Sequence, residues 1–181
     1  AVQSSPEDYV KRIAEGTIVE ALAEYEVKPG DVFFLPAGRV HAIGAGCFIA
    51  EIQQTSNITY RIYDYDRTDA AGNKRELHTE PAKDAIDYQL QDDYRTAYTP
   101  AKDQPVDLVS CPYFETKLLD LDATLHRDWS ALDSFVIYIC MEGALTLRDA
   151  AGYEVKLHQG QSVLVPAENS ELTLLPSPSC K

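Results

Sequence analysis

The segment PGDVFFLPAGRVHAIG, residues 29–44, combines a short apolar run with two turn signals and one histidine. Gly30 precedes the run, and Pro36 and Gly38 follow it, so the run fits a short strand with a tight turn at each end. His41 comes directly after the second turn. A neutral imidazole on a stiff turn is a good metal ligand, because its orientation is settled before the metal arrives. The segment therefore predicts a β-rich fold and a metal ligand at His41.

The same frame returns once in the second half of the chain. PGDVFFLPAGRVH and QGQSVLVPAENSE share a glycine, five intervening residues and then Pro-Ala. Gly30 thus matches Gly160, and Pro36 matches Pro166. Two copies of one β-barrel unit, one in each half, would explain this similarity.

The rest of the chain alternates short helical and strand patterns. Three short helices are predicted in the first half, from SSPEDYVKRIAEG, TIVEALAEY and TEPAKDAIDYQ, and their cap candidates are Ser5, Thr17 and Thr79. Strands are predicted from DVFFLP, CFIAEIQQ, NITYRIYDYD, FETKLLDL, SFVIYICME, ALTLRD, YEVKL and SVLVP, with a hairpin turn over residues 149–152. Many short strands with tight turns indicate a mainly β fold of antiparallel jelly-roll barrels.

Domain limits follow from the one stretch that lacks apolar periodicity. AYTPAKDQP, residues 97–105, carries two prolines and is the best linker candidate. We therefore predict one domain over residues 1–104, which includes the short helices, and a second barrel over residues 105–181.

Charge and cysteine usage exclude several classes of partner. The 181 residues carry a formal net charge of −13 without a basic cluster, which argues against nucleic acid and against anionic membrane surfaces. No apolar run approaches the ~20 residues that cross a bilayer. The four cysteines show no CxxC spacing, which favours reduced thiols in a cytoplasmic protein.

The spacing around His41 resembles the second conserved motif of the cupin superfamily in full. VKPGDVFFLPAGRVHAIGAG, EIQQTSNITYRIYDYDR and RELH together resemble the bacterial type I phosphomannose isomerases. That resemblance implies a zinc enzyme with a sugar phosphate substrate, which interconverts mannose 6-phosphate and fructose 6-phosphate through an enediol. It also implies that His41 is a Zn²⁺ ligand and that Arg61, from TYR-x-YDYDR, is the active-site arginine. Zinc would act there as a Lewis acid.

Strand alternation agrees with that role for the arginine. In ITYRIYD, Thr59, Arg61 and Tyr63 share one face, and the isoleucines and Tyr60 share the other. Arg61 therefore lies on the polar face. A permanent cation is better suited to stabilising an enediolate than to removing a proton. Arg67 is predicted to be solvated surface charge, as is Lys74.

The remaining zinc ligands expected from the resemblance are absent. In this family they come from an upstream Gln-x-His pair and a later glutamate, and this chain has no Gln-x-His. Glu51 has only its proximity to His41 in its favour, and His78, His126 and His158 are predicted to be surface or loop histidines. We expect the chain to be a C-terminal fragment that is inactive and binds zinc weakly or not at all.

The second copy of the frame has lost its imidazole. Glu168 and Glu171 occupy the positions that match Gly38 and His41, so no metal site is expected in the second barrel.

A non-catalytic cupin module that binds a sugar or sugar phosphate is the main alternative function. A metal-dependent oxygenase would want two or three histidines and a carboxylate in one barrel, which the chain lacks. An upstream reading frame that encodes Gln-x-His and a later glutamate would favour the isomerase.

Overall fold

The computed structural model describes all 181 residues, which divide into two units, Ala1–Thr96 and Ala97–Lys181. This division lies upstream of the predicted limit between residues 104 and 105. The assignment of residues 1–104 and 105–181 to two cupin barrels stays a prediction. None of the helices has the length and apolar character required to cross a membrane.

The second unit is built from eight antiparallel strands. They are β1 (Pro105–Ser110), β2 (Glu115–Leu119), β3 (Leu125–Asp128), β4 (Val136–Ile139), β5 (Gly143–Asp149), β6 (Glu154–His158), β7 (Ser162–Val165) and β8 (Glu171–Cys180). A four-stranded sheet has the order β3-β8-β5-β6, β4 pairs with β7, and β1 pairs with β2. The mainly β fold is therefore confirmed.

The core of this unit is apolar and draws on both larger pairings. Alternate residues of β5 and β8 are buried, and Leu147 pairs in register with Leu174, which is fully buried. Tyr138 of β4 and Val165 of β7 belong to the same buried cluster as these leucines. Inward side chains of the four-stranded sheet and of the β4–β7 pair thus pack on each other, as in a jelly roll.

Five of these strands were predicted, and three were not. β2, β4, β5, β6 and β7 fall on the predicted runs, and Gly152 N–H donates to Asp149 O at 3.1 Å in the predicted hairpin turn. β1, β3 and β8 were not predicted from the sequence. β8 contains Pro176 and Pro178, which disfavour a strand in sequence-based reading because proline donates no ladder hydrogen bond.

Two of the three predicted helices form in the first unit. α1 (Pro6–Glu15) begins after Ser5, whose Oγ accepts from Asp8 N–H at 3.2 Å, and ends at Gly16 in the left-handed region with φ 71°. α2 (Thr79–Ala85) has His78, not Thr79, as its N-terminal cap residue. The helix predicted from TIVEALAEY is wrong: one 3₁₀ turn (Ile18–Ala21) forms there, without a side-chain cap at Thr17. This turn follows α1 directly and packs into the same small core.

The three strands predicted between residues 31 and 66 are also wrong. No ladder forms there, and the isolated bridge between Thr68 and Lys74 lies beyond this range. Residues 48–60 are exposed, and the Phe48 side chain is 88% accessible. Strand propensity describes a side chain that fits a half-buried pleated surface. These segments have that composition, but no neighbouring strand of this chain pairs with them.

The internal repeat is present in the geometry of its first turn. Asp31 N–H donates to Lys28 O at 3.0 Å, and Gln161 N–H donates to His158 O at 2.9 Å. The glycine in each turn has a positive φ, 94° at residue 30 and 82° at residue 160. Lys28 N–H donates to Asp31 Oδ2, and His158 N–H donates to Gln161 Oε1. In both turns, the side chain of the residue after the glycine thus accepts a hydrogen bond from the backbone N–H three residues earlier.

The second turn of the repeat is matched as well. Arg39 N–H donates to Pro36 O at 3.1 Å, and Asn169 N–H donates to Pro166 O at 3.1 Å. Turn, extended run and turn therefore occur twice at the same sequence offset. A shared backbone path explains the shared Gly and Pro-Ala positions.

Candidate functional site

The turn that carries His41 is fixed against the end of α2. Gly38 has φ 86°, and a Cβ added there would lie 2.6 Å from Ala85 O. Asp87 N–H donates to Gly38 O at 2.9 Å. Only glycine combines the left-handed backbone with this close approach. The Pro-x-Gly spacing is therefore required by the packing of the turn, whatever His41 does.

The His41 ring is exposed, and one of its nitrogens is already engaged. Nδ1 lies 2.9 Å from Arg39 O. A carbonyl oxygen only accepts, so Nδ1 carries the proton and Nε2 carries the lone pair. This backbone hydrogen bond is the arrangement that orients metal-binding histidines. His41 can therefore offer Nε2 to a metal.

The other donors of a metal site are not assembled in this chain. No group of three or more His, Cys, Asp or Glu side chains is arranged to hold a metal ion. Glu51 is exposed and joins no such group. A zinc site needs three or four protein donors, so His41 alone does not fit Zn²⁺.

Arg61 is held through its backbone by His78. Arg61 N–H donates to His78 Nδ1 at 3.0 Å, and His78 N–H donates to Arg61 O at 2.7 Å. The Arg61 side chain is 33% exposed, and its Nε lies 3.9 Å from Asp64 Oδ1. The guanidinium is thus partly accessible, and the backbone of Arg61 is hydrogen-bonded to His78 at the start of α2.

Asp64 gathers three arginines around one buried carboxylate. It is 8% exposed, and its Oδ1 lies 2.5 Å from Arg67 NH2 and 3.9 Å from Arg75 NH1 as well as from Arg61 Nε. The hydrogen bond from Arg67 holds the pKa of Asp64 below its usual value, against the opposing effect of burial. Three cations around one anion leave a local excess of positive charge in a chain of net charge −13.

The other predicted surface charges are paired with acids. Lys74 Nζ lies 2.6 Å from Asp66 Oδ1, and both side chains are mainly exposed. The Lys74 prediction is therefore confirmed. Arg67 is mainly exposed too, but its ion pair with Asp64 makes it part of the arginine group.

In the second unit, the two glutamates of the repeat are exposed. Glu168 lies in the turn after β7, and Glu171 begins β8, where it pairs in register with Asp128. An open depression of about 250 Å³ borders this point and is lined in part by Arg127, Asp149 and Glu171. No metal-binding cluster forms there.

Two contacts of Arg61 in the candidate site were not predicted from the sequence. His78 lies in a loop, which is one of the two positions predicted for it, but it is half-buried and its ring nitrogen accepts from Arg61 N–H, a contact that was not predicted. Asp64 was not singled out, although three arginines within eleven positions of it were a signal for a counter-ion. His126 and His158 are exposed, as predicted.

Comparison with known proteins gives consistent results. The family model "Mannose-6-phosphate isomerase, cupin domain" matches residues 105–177. The mannose-6-phosphate isomerase ManA of Bacillus subtilis is 39% identical over 113 residues, which are 61% of this chain and 36% of that protein. The mannose-6-phosphate isomerase of Streptococcus mutans is 32% identical over 164 residues, which are 90% of this chain and 51% of that protein. The chain thus spans about half, or less, of these relatives.

A solved structure covers both units of the fold. The crystal structure of the mannose 6-phosphate isomerase from Bacillus subtilis matches with a TM-score of 0.84 and 29% identity. The match covers 99% of this chain and 56% of that one. Both comparisons support a cupin fold, as the sequence predicted.

Proposed function

Because the chain is a type I phosphomannose isomerase-like cupin protein, we propose that it works as part of a mannose-6-phosphate isomerase. The reaction would interconvert mannose 6-phosphate and fructose 6-phosphate by moving a proton between C2 and C1. The observation that supports the proposal is the hydrogen bond from His41 Nδ1 to Arg39 O, because such a bond would orient Nε2 toward a metal ion. In this proposal, the VHAIG motif serves to present the His41 ring to the metal.

The enzyme is proposed to depend on one Zn²⁺, to which His41 supplies one ligand. The other ligands would come from polypeptide outside these 181 residues, because this chain assembles no donor group of its own. The exposed apolar side chains of the strand-like segments support the same idea. Phe48 is 88% accessible and Ile58 70%, and further protein that covers these side chains would remove them from water.

Arg61 is proposed to stabilise the enediolate. As the proton leaves C2, negative charge develops on the sugar oxygens, and a preorganised cation lowers the energy of that state. The guanidinium remains charged throughout, so it orients and stabilises but does not remove the proton. The backbone hydrogen bond to His78 and the carboxylate of Asp64 reduce the freedom of this side chain.

The enzyme is proposed to be cytoplasmic. The four free cysteines are in keeping with that location.

The test is the isomerase activity of the whole protein that contains this chain, with and without Arg61→Ala. We expect mannose 6-phosphate to be converted by the wild type, and kcat to fall at least about 10²-fold in the variant with zinc content unchanged. Arg148→Ala is the matched control, because Arg148 is exposed and pairs with Glu154 on the second unit. Loss of zinc in Arg61→Ala would make the arginine structural, and an inactive wild type would overturn the proposal.

A further inference from the structure

One charged side chain points toward the apolar core of the second unit. In β3, Leu125 and Arg127 are half-buried, while His126 and Asp128 between and after them are exposed. Arg127 pairs in register with Leu172, which is 6% exposed and lies in the core cluster. Strand alternation therefore places Arg127 on the inner face of the four-stranded sheet.

Arg127 has no acidic partner. No carboxylate lies within 4.0 Å of its guanidinium, and its Nε is buried without a hydrogen-bond partner. Twelve of the sixteen lysines and arginines form ion pairs with carboxylates. Of the other four, Lys28 and Lys156 are exposed, and Arg39 is, like Arg127, half-buried and stacked on an aromatic ring. A buried donor without a partner costs free energy, and a cation directed at an apolar core costs more. Such a group needs an explanation, and a bound ion is one that supplies the missing acceptor.

Two aromatic residues hold the guanidinium in a fixed orientation. Its Cζ lies 4.3 Å from the centre of the Trp129 ring, so the cation is stacked on the indole. Trp129 Nε1–H donates to the hydroxyl of Tyr138 at 3.0 Å, and Tyr138 is 8% exposed. Burial raises the pKa of Tyr138, so its hydroxyl stays protonated. The Tyr138 hydroxyl also interacts with the guanidinium, and stacking leaves the remaining edge donors, Nε among them, for an acceptor.

The cluster of Arg127, Trp129 and Tyr138 lies beside the second copy of the repeat. Trp129 N–H donates to Ser170 O at 2.7 Å. Ser170 directly precedes Glu171, the residue that matches His41. Where the first copy carries an imidazole, the second copy therefore has an arginine on an aromatic platform close by. Mouths of β-barrels are common positions for small-molecule sites.

We propose that Arg127, Trp129 and Tyr138 form a binding site for the phosphate group of a small ligand in the second unit. The edge of an arginine matches a phosphate oxygen pair, and a neutral hydroxyl adds a donor without a competing charge. The ligand is either free phosphate or a phosphate monoester. This site shares no residue with the proposed zinc and enediolate site, and it requires no metal.

Trp129 is the only tryptophan of the chain, so its signals report on this site alone. We would titrate the 181-residue chain with inorganic phosphate, with mannose 6-phosphate and with mannose, at constant ionic strength and with a chelator present. Trp129 fluorescence and the single indole N–H resonance would be followed. We expect a saturable change with one or both phosphate compounds and none with mannose. Tighter binding of mannose 6-phosphate than of inorganic phosphate would identify a monoester ligand, and equal binding would identify phosphate itself.

Arg127→Gln is expected to weaken binding at least tenfold, and Arg148→Gln, on the same unit, is expected to leave it unchanged. Arg127→Met adds a test that does not depend on a ligand. If the cation is kept for binding, its replacement by an apolar side chain raises the urea midpoint of the unliganded chain. No saturable change with either phosphate compound, or equal binding by Arg127→Gln, would overturn the proposal. A lower urea midpoint in Arg127→Met would make Arg127 a structural brace and would also overturn it.

Discussion

Arg61 and His78 exchange two hydrogen bonds across sixteen intervening residues. Arg61 N–H donates to His78 Nδ1 at 3.0 Å, and His78 N–H donates to Arg61 O at 2.7 Å. His78 is also the residue from which α2 starts. The pair therefore connects the segment of the proposed catalytic arginine to the only helix that follows it in the first unit.

The first prediction concerns the ring nitrogen of His78. His78→Ala leaves Arg61 N–H without its acceptor, so we expect the free energy of unfolding to fall by about 1–2 kcal/mol. His78→Asn places an amide oxygen close to the position of Nδ1 and should restore most of that loss. Urea denaturation of both variants measures the difference. Equal destabilisation by alanine and asparagine would contradict a hydrogen-bonding role.

The second prediction concerns the carboxylate that faces three arginines. Asp64→Asn removes the negative charge near Arg61, Arg67 and Arg75 while keeping the shape of the side chain. Because the Arg61 guanidinium then loses its orienting partner, we expect kcat in the whole protein to fall about tenfold, with KM changed less. Asp66→Asn is the control, since Asp66 is exposed and pairs with Lys74. An equal fall of kcat in Asp66→Asn would contradict a specific role of the Asp64 charge in orienting Arg61.

The third prediction concerns a close backbone approach in the second unit. Gly143 has φ 77°, and a Cβ there would lie 2.1 Å from Ser179 O, which is backbone. Gly143→Ala therefore combines backbone strain with a clash, and we expect a loss of at least about 3 kcal/mol in the free energy of unfolding. Gly152→Ala has φ 87° and no neighbour within 4 Å, so its cost should be only about 1–2 kcal/mol. Similar losses of unfolding free energy at both positions, measured by urea denaturation, would contradict the close approach between Gly143 and Ser179.

Local patterns predicted those parts of the fold that depend on nearby residues. Ser5, Pro6 and Gly16 set the two ends of α1 through capping and backbone preference. The strands with continuous β-branched and apolar runs were found in the same way. β8 was not, because its prolines disfavour a strand locally, while pairing with β3 and β5 stabilises it. The strands predicted in the first unit failed for the opposite reason, since local preference was present and a pairing partner was not.

The candidate site shows the same division. His41 was found because its turn residues lie within a few positions of it in sequence. His78 and Asp64 were missed as contacts of Arg61, because a hydrogen bond across sixteen residues and the convergence of three arginines depend on how the chain folds back. The aromatic platform of Arg127 was missed for the same reason, since Tyr138 lies on another sheet.

The most direct test of the account is the zinc content of the whole protein after dialysis, measured for the wild type and for His41→Gln. His158→Gln serves as the control, because His158 is exposed and its ring makes none of the contacts that His41 makes. We predict one zinc per wild-type chain, retained by His158→Gln and lost by His41→Gln, and none bound by the 181-residue chain alone. Stoichiometric zinc in His41→Gln, or in the 181-residue chain alone, would contradict the account.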